Sequence, residues 1–204
     1  MYVIRELEAG DVARTDELAR LHKRAFPVFF LTQLGIPFLK TLYKGYLEDK
    51  ESGIIIAESK GRILGFIAYS NNYSEFYRGL IKHSIMQFAM CAFFASLRHP
   101  SFIKRLLGAF KKSDSVARKE KYVELASICV NPGIKGHGLG TKLIDALKSR
   151  VDFSYYEYIN LETDAENNEY AIRFYEKNGF ERAREYTTNE GRRMIEYRYR
   201  GQAR

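Results

Sequence analysis

Apolar positions along the chain follow two rhythms, one of period two and one near 3.6, and the switches between them outline the fold. Tyr2 to Leu7 alternates as a short strand. Asp11 stands where a helix N-cap is expected, ahead of Val12, Leu18, Leu21 and Phe26 at helical spacing, and Pro27 closes that helix. Thr32 to Leu47 repeats the helical pattern through Leu34, Phe38, Leu42 and Tyr46, before the acidic, turn-like run Glu48 to Gly53. Gly53 to Glu58 and Ile63 to Ser70 are β-rich runs joined by Ser59-Lys60-Gly61-Arg62, a hairpin whose glycine can take a positive φ.

After Ser70 the pattern becomes helical and basic as far as Lys121, interrupted at Pro100 and near Ser113 to Ser115. Residues 72–121 therefore read as a helical insertion. Tyr122 to Val130 is a clear strand, followed by a glycine-rich turn and a helix from Gly138 to Arg150 with Leu139, Leu143, Ile144 and Leu147 on one face. A strand at Tyr156 to Glu162 and a helix at Asn168 to Lys177 come next. The chain closes with a hairpin pairing Phe180 to Thr187 with Arg193 to Tyr199. The order β α α β β, insertion, β α β α β β predicts one α/β domain over residues 1–204.

Composition narrows the class. The 204 residues, 46% apolar and 28% charged with only four prolines, suit an ordinary globular chain and exclude disorder, low complexity and collagen-like repeats. Cys91 and Cys129 lie in apolar runs far apart, which fits neither a disulfide framework nor a zinc site, so a reducing, cytoplasmic location is expected. No secretory signal pattern opens the chain, and the longest uncharged apolar stretch, Ser84 to Leu97, falls short of the ~20 residues a spanning helix needs.

The formal charge of +8 is concentrated: residues 72–121 hold ten Lys or Arg against three acids, a balance of +7. Within this segment, residues 77–97 and 101–111 interleave bulky apolar and basic residues. That pattern fits a helical cap on the sheet edge, a peripheral contact with an anionic membrane at its inner face, or recognition of an anionic substrate. Nucleic acid is not expected, because no helix-turn-helix, RRM or zinc pattern accompanies the charge.

The chemistry concentrates in Val130-Asn131-Pro132-Gly133-Ile134-Lys135-Gly136-His137-Gly138-Leu139-Gly140-Thr141, between a strand and a helix. Glycines at 136, 138 and 140 allow close backbone approach, and a helix N-terminus favours an anion such as a pyrophosphate. A loop that merely needs positive φ values would look the same. Neither a P-loop nor a dinucleotide-binding GxGxxG in a βαβ unit is present. The segment resembles motif A of the GNAT superfamily of acyl-CoA N-acyltransferases, matching it at Val130, Pro132, Gly138 and Gly140, with Lys135 where Arg or Gln is usual. Downstream, Asn168, Ala171, Phe174, Tyr175, Gly179 and Phe180 resemble motif B of that family, including its ending Tyr-x-x-x-Gly-Phe.

The resemblance covers residues 1–70 and 122–199. It implies a mixed central sheet of about seven strands flanked by helices, in which strands four and five splay apart to admit the pantetheine arm of acetyl-CoA. By position, the arm would contact Ile128, Cys129 and Val130, and the pyrophosphate would lie on Lys135, Gly136, His137, Gly138, Leu139, Gly140 and Thr141. Asn168 and Tyr175 would lie near the arm and the sulfur.

Direct transfer requires an uncharged amine, so a base or a water relay is needed at neutral pH. Glu124 stands where histone-acetylating members carry a catalytic Glu, and on an unbroken strand it shares a face with residues 126, 128 and 130. A structural Glu at a strand start is the competing reading, and Glu162 is the alternative base. Tyr175 would protonate the departing thiolate. Cys129 has no adjoining His to make it a nucleophile, and the four histidines offer no metal spacing. The resemblance implies an acetyl-CoA-dependent enzyme without a metal, acting on a primary amine of a small molecule, an amino sugar being one candidate. A protein amine, or a CoA-binding or membrane-associated module without turnover, is the alternative. Homodimers, common in the family, are expected on analogy alone.

Overall fold

The computed structural model of the protein describes residues 2–96, 120–134, 136–188 and 191–201, with the side chains of 84–87 and 89–96 outside that description. Lys135, the basic stretch 101–111 and the side chain of Cys91 thus fall outside the described residues. A single seven-stranded sheet runs in the order β1-β2-β3-β4-β5-β7-β6. Its strands are β1 (Val3–Glu6), β2 (Ser52–Ser59), β3 (Arg62–Ser70), β4 (Tyr122–Val130), β5 (Tyr158–Asp164), β6 (Glu181–Thr187) and β7 (Arg193–Tyr199). Every neighbouring pair is antiparallel except β4 and β5.

Among the described residues six α-helices flank the sheet: α1 (Thr15–Ala25), α2 (Phe30–Gln33), α3 (Ile36–Glu48), α4 (Tyr73–Ser96), α5 (Leu139–Lys148) and α6 (Glu169–Lys177). One layer of core joins α1, α3 and α4 to the sheet through Leu18, Leu21, Leu39, Tyr43, Ile54, Ile56 and Phe66. The opposite layer joins α5 and α6 through Leu143, Ile144, Leu147, Tyr175, Ile55, Ile67 and Ile159. The alternation of Ile54, Ile55 and Ile56 between the two layers is the period-two rhythm of a strand buried on both faces.

Two expectations need correction. Asp11 does not cap a helix: it lies in a 3-10 turn, Asp11–Arg14, where Oδ2 accepts from the Glu8 backbone and from Arg5, and Gly10 occupies the cap. The helix expected over Thr32 to Leu47 is broken in two, because Gly35 adopts a φ of +95° and Pro37 sits in the first turn of α3. Proline lacks the N–H that a continuous helix would need, and its ring demands a restricted preceding residue. The hairpin turn behaves as its residues require, with Lys60 and Gly61 both at positive φ.

α4 packs on α3 through tilted aromatic pairs. Tyr46 lies 4.1 Å from Phe76 by ring centroid, and Phe38 lies 4.7 Å from Phe88. Gly45 makes this approach possible, since a Cβ there would come 2.4 Å from Leu80 Cδ1, whereas a Cβ at Gly79 would meet nothing within 4 Å. Opposite outcomes follow for the two glycines. Gly45→Val should destabilise the fold by about 1–3 kcal/mol through overpacking, while Gly79→Ala should stabilise it by up to about 1 kcal/mol through helix propensity. Urea unfolding of the two variants checks both signs.

His22 is a polar residue inside the first core layer, 2% exposed, and burial pushes its pKa down to about 4. In the unfolded chain it takes up a proton near pH 6.5, so between pH 6.5 and about 4 the unfolded state binds a proton that the folded state does not. Stability should therefore fall as the pH drops through that window, by about 3 kcal/mol in all, and level off below it. Chemical unfolding at successive pH values should show this component in the wild type and lose it in His22→Gln.

Candidate active site

β4 and β5 pair over only three positions, Tyr122 with Tyr158, Val123 with Ile159 and Glu124 with Asn160. Past Glu124 the two strands separate. β4 stays paired with β3 on its far side as far as Val130, and β5 stays paired with β7 as far as Asp164. A gap thus opens between two strands that are each held from behind. Ala126 sits at its start and has no register partner on either side, because Tyr69 pairs with Leu125 and the adjacent Ala68 with Ser127. This is a β-bulge, which bends the strand and takes backbone groups out of the ladder.

The bulge overturns the face expected of an unbroken strand. Ala126, Ser127 and Cys129 turn toward the α1/α3 layer, whereas Ile128 and Val130 pack into the α5/α6 layer with Val123 and Leu125. Glu124, between Val123 and Leu125, faces the α1/α3/α4 side and therefore does not share a face with Ile128 and Val130. One extra residue shifts every later side chain to the opposite face.

Glu124 is 8% exposed, and its Oε2 accepts a hydrogen bond from Asn160 Nδ2 at 2.7 Å. Tyr46 and Tyr73 lie within its electrostatic reach: burial drives both phenols well above their ordinary pKa, and the Glu124 charge pushes the same way. Tyr73 also feels Glu162, which lies two residues beyond Asn160 on the same face of β5. Arg198 stands opposite Asn160 in the sheet, but its Nε is committed to Glu196, fully buried and bridged by Arg184 from the other side.

On the opposite side of the sheet Tyr175 is buried among Phe174, Phe180 and Tyr197. Burial raises its pKa strongly, with a smaller contribution from Cys129, so the phenol stays protonated at any working pH. That coupling brings Tyr175 and Cys129 within electrostatic reach of one another, although their side chains belong to different layers.

The glycine turn has the geometry its sequence requires. Gly136 and Gly138 adopt φ of +88° and +73°, and a Cβ at either would meet nothing within 4 Å, so backbone conformation alone selects glycine there. Gly140 differs: a Cβ would lie 3.0 Å from the Phe174 ring, so this glycine lets α5 approach α6. Gly138 caps α5 without any side-chain hydrogen bond, which leaves the first-turn N–H groups of Leu139, Gly140 and Thr141 without a side-chain cap. His137 is exposed beside them. Asn168 braces the neighbouring junction, donating through Nδ2 to Thr163 Oγ1 at 2.7 Å and to the Asp164 carbonyl at 3.0 Å.

Some residues of the site escaped sequence reasoning. Asn160 carries a visible signal, a lone amide in the otherwise apolar run Tyr158 to Leu161. Gly65 carries a weaker one: across from Val130, a Cβ there would come 2.9 Å from the Cys129 carbonyl and 3.1 Å from Leu143, so the glycine admits α5 against the edge of the gap. Tyr46 and Tyr73 reach Glu124 only through tertiary packing.

A sheet split between a parallel pair, with an uncapped helix N-terminus after the first of those strands, is the architecture of an acyl-CoA-dependent transferase. The sequence profile of the Acetyltransferase (GNAT) family matches residues 15–180, and the chain belongs to that family of acetyl-CoA-dependent N-acetyltransferases. Among solved structures it is similar to a GNAT-family protein from Desulfovibrio desulfuricans, with a TM-score of 0.64 and 16% identity over 98% of this chain and 99% of that one. It is also similar to the ribosomal-protein-S18-alanine N-acetyltransferase of Escherichia coli, at TM-score 0.58 and 18% identity over 100% and 96% of the two chains. A third is the polyamine N-acetyltransferase of Drosophila melanogaster, at TM-score 0.60 and 12% identity over 98% and 100%. Among curated proteins no sequence matches significantly. No helix among the described residues is long and apolar enough to cross a membrane.

The hydrogen bond from Asn160 gives a direct test of how Glu124 is held. Asn160→Leu removes the donor from a buried carboxylate and should lower stability by about 1.5–3 kcal/mol. Asn160→Asp should cost at least as much near neutral pH, since it sets two carboxylates side by side. Thermal and urea unfolding of both variants measures the loss.

Proposed function

We propose that the protein transfers the acetyl group of acetyl-CoA directly to a primary amine of a small molecule. The observation that carries this reading is the parting of β4 and β5 immediately after the Glu124–Asn160 pair, with a buried carboxylate on one side of the gap and a buried phenol on the other. The pantetheine arm lies along Ile128, Cys129 and Val130, beyond the last register pair of β4 with β5. The pyrophosphate lies on the turn from Lys135 through Gly136, His137, Gly138, Leu139, Gly140 and Thr141, against the first-turn N–H groups of α5. The thioester reaches the bulge at Ala126.

Glu124 accepts the proton that the acceptor ammonium must lose before its nitrogen can attack. The nitrogen adds to the thioester carbon, and the C–S bond breaks as the second nitrogen proton passes to water, so that CoA leaves as the thiolate and Glu124 afterwards returns its own proton to solvent. Tyr175 serves the departing sulfur as a hydrogen-bond donor. Because burial holds its proton tightly while a CoA thiol has a pKa of ~8.5, the phenol stabilises the thiolate more than it surrenders the proton outright. Asn160 keeps the carboxylate oriented, and Asn168 holds the end of β5 against α6.

A small acceptor is supported by the surroundings of Glu124. Tyr46 of α3 and Tyr73 of α4 both feel the carboxylate charge, and Phe76 packs against both rings. An acceptor nitrogen reaching Glu124 passes these rings, which suits a slender amine better than a folded protein surface.

Glu124→Gln should lower kcat by about 10²-fold or more, as expected for loss of a general base, with little change in acetyl-CoA affinity. Tyr175→Phe should lower kcat less, because the leaving thiolate needs only modest help. Gly138→Glu should instead weaken acetyl-CoA binding, placing a charge and a strained φ at the anion turn. Isothermal titration with acetyl-CoA and with CoA, alongside steady-state rates over a panel of amines, separates these effects. Wild-type protein that binds neither ligand at millimolar concentration, or Glu124→Gln and Tyr175→Phe variants with unchanged turnover, would remove the corresponding assignments.

A further inference from the structure

The most exposed Phe or Tyr among the described residues is Tyr170, which keeps 65% of its surface open to solvent. Two of the other exposed rings are engaged. Tyr155 lies 4.8 Å from Tyr156 by ring centroid, with the Lys121 ammonium 3.7 Å above it, and Phe29 leans on Phe26 and His22 at 6.1 Å each. Tyr170 makes no such ring contact with the described residues.

The backbone that carries this open ring is firmly placed. Tyr170 is the second residue of α6, and Asn168 at the cap of that helix donates to Thr163 Oγ1 at 2.7 Å and to the Asp164 carbonyl at 3.0 Å. Asp164 is held in turn by Arg192 at 2.6 Å. The start of α6 is thus tied to the end of β5, and a ring on a held backbone gives up little further freedom when a flat ligand meets it.

Strand directions and one helix contact locate the ring. β4 and β5 are parallel, and β7 is antiparallel to both β5 and β6, so β4, β5 and β6 all run the same way. α5 and α6 connect these strands in turn and pack into one layer, so both helices run back against the strands and begin at the end where β4 and β5 part. The Phe174 ring lies against Gly140 in the first turn of α5, where an added Cβ would come 3.0 Å from it. Tyr170 is one turn earlier on the same face of α6, about 6 Å nearer that shared end. It therefore stands level with the residues just ahead of Gly140, the turn at Gly136 to Gly138. Because Cα–Cβ bonds tilt toward a helix N-terminus, the ring leans further the same way.

On the reading proposed above, that turn carries the pyrophosphate of acetyl-CoA. The adenine is joined to the pyrophosphate through a single ribose, so it comes to rest within one sugar's reach of the turn. We propose that Tyr170 is the platform on which the adenine of acetyl-CoA stacks, phenol face against purine face. The inference rests on the reading that the pyrophosphate lies on the glycine turn. Stacking needs no hydrogen bond to the base, so a phenol with open faces beside the turn is sufficient. Tyr175, five residues further on, is buried toward the sheet and serves the other end of the cofactor.

The test sets wild type, Tyr170→Ala and Tyr170→Phe against two probes. One is acetyl-CoA, and the other is S-acetyl-4′-phosphopantetheine, which keeps the thioester, the arm and one phosphate but lacks the adenosine. Affinity is read by titration calorimetry. Proton magnetic resonance of bound acetyl-CoA then reads the adenine ring protons, which an aromatic ring stacked on the base shifts upfield. The exposed position of Tyr170 lets either variant fold.

Tyr170→Ala should weaken acetyl-CoA by about 10-fold and Tyr170→Phe by less than about twofold, while affinity for the truncated donor should not change in either variant. The adenine protons should lie upfield in wild type and in Tyr170→Phe, and return toward their free positions in Tyr170→Ala. They decide the matter even where the truncated donor binds too weakly to titrate. Adenine protons and acetyl-CoA affinity that ignore Tyr170→Ala would overturn the proposal. An equal loss for both donors would do the same, because the substitution would then act through α6 and not through the base. Wild-type protein that binds neither donor would instead remove the reading of the glycine turn, a distinct result from bound acetyl-CoA whose adenine is indifferent to Tyr170.

Discussion

The site depends on two parallel strands staying together for three residue pairs and then parting. Separated strands normally close, because an unpaired backbone edge buried away from water loses hydrogen bonds that a ladder would supply. Here closure is resisted from behind. β4 is held by β3 from Ser70–Glu124 to Gly65–Val130, and β5 by β7 from Ile159–Tyr199 to Asp164–Met194. Each strand keeps its own geometry on its outer side, so the inner edges can face a ligand without the sheet unravelling. On the proposed reading, the pantetheine amides supply the pairing that the strands withhold from one another.

Where the split begins also decides which chemistry meets there. Glu124 and Asn160 form its last rung, so a buried carboxylate and its amide donor stand at the vertex. The bulge one residue past Leu125 then divides β4 between layers. Ser127 and Cys129 turn toward α1 and α3, and Ile128 and Val130 toward α5. A regular strand would have put Glu124, Ile128 and Val130 on one face. The bulge instead gives the carboxylate one side of the sheet and the apolar wall behind the glycine turn the other.

The elements were legible because the patterns that define them are local. Tyr122 to Val130 and Arg193 to Tyr199 were predicted with the bounds they have, and Gly138, Gly140 and Gly179 punctuate the chain where their φ or packing requires. Two local readings failed for local reasons: Gly35 and Pro37 cut a helix whose apolar spacing runs straight through them, and the helix that Asp11 was expected to cap begins only at Thr15, after a 3-10 turn that contains Asp11. The bulge was invisible because nothing in Glu124 to Val130 marks an extra residue. It is set by which β3 residue each β4 residue meets, a long-range fact. The His22–Tyr43 contact spans 21 positions and the Glu124–Asn160 contact 36, beyond any periodicity a sequence window can hold.

The first turns of α4 are tied to the sheet more tightly than a cap on its edge need be. Ser70, the last residue of β3, pairs with Glu124, and α4 begins three residues later at Tyr73. That short link leaves α4 little freedom, and in its first turns Phe76 packs on Tyr46 of α3 while Tyr73 stacks on Phe76. The close approach needs Gly45, where any side chain would collide with Leu80. Entering here, α4 brings Tyr73 within electrostatic reach of the carboxylate that Tyr46 also feels, so the docking of α4 on α3 and the surroundings of Glu124 are set together.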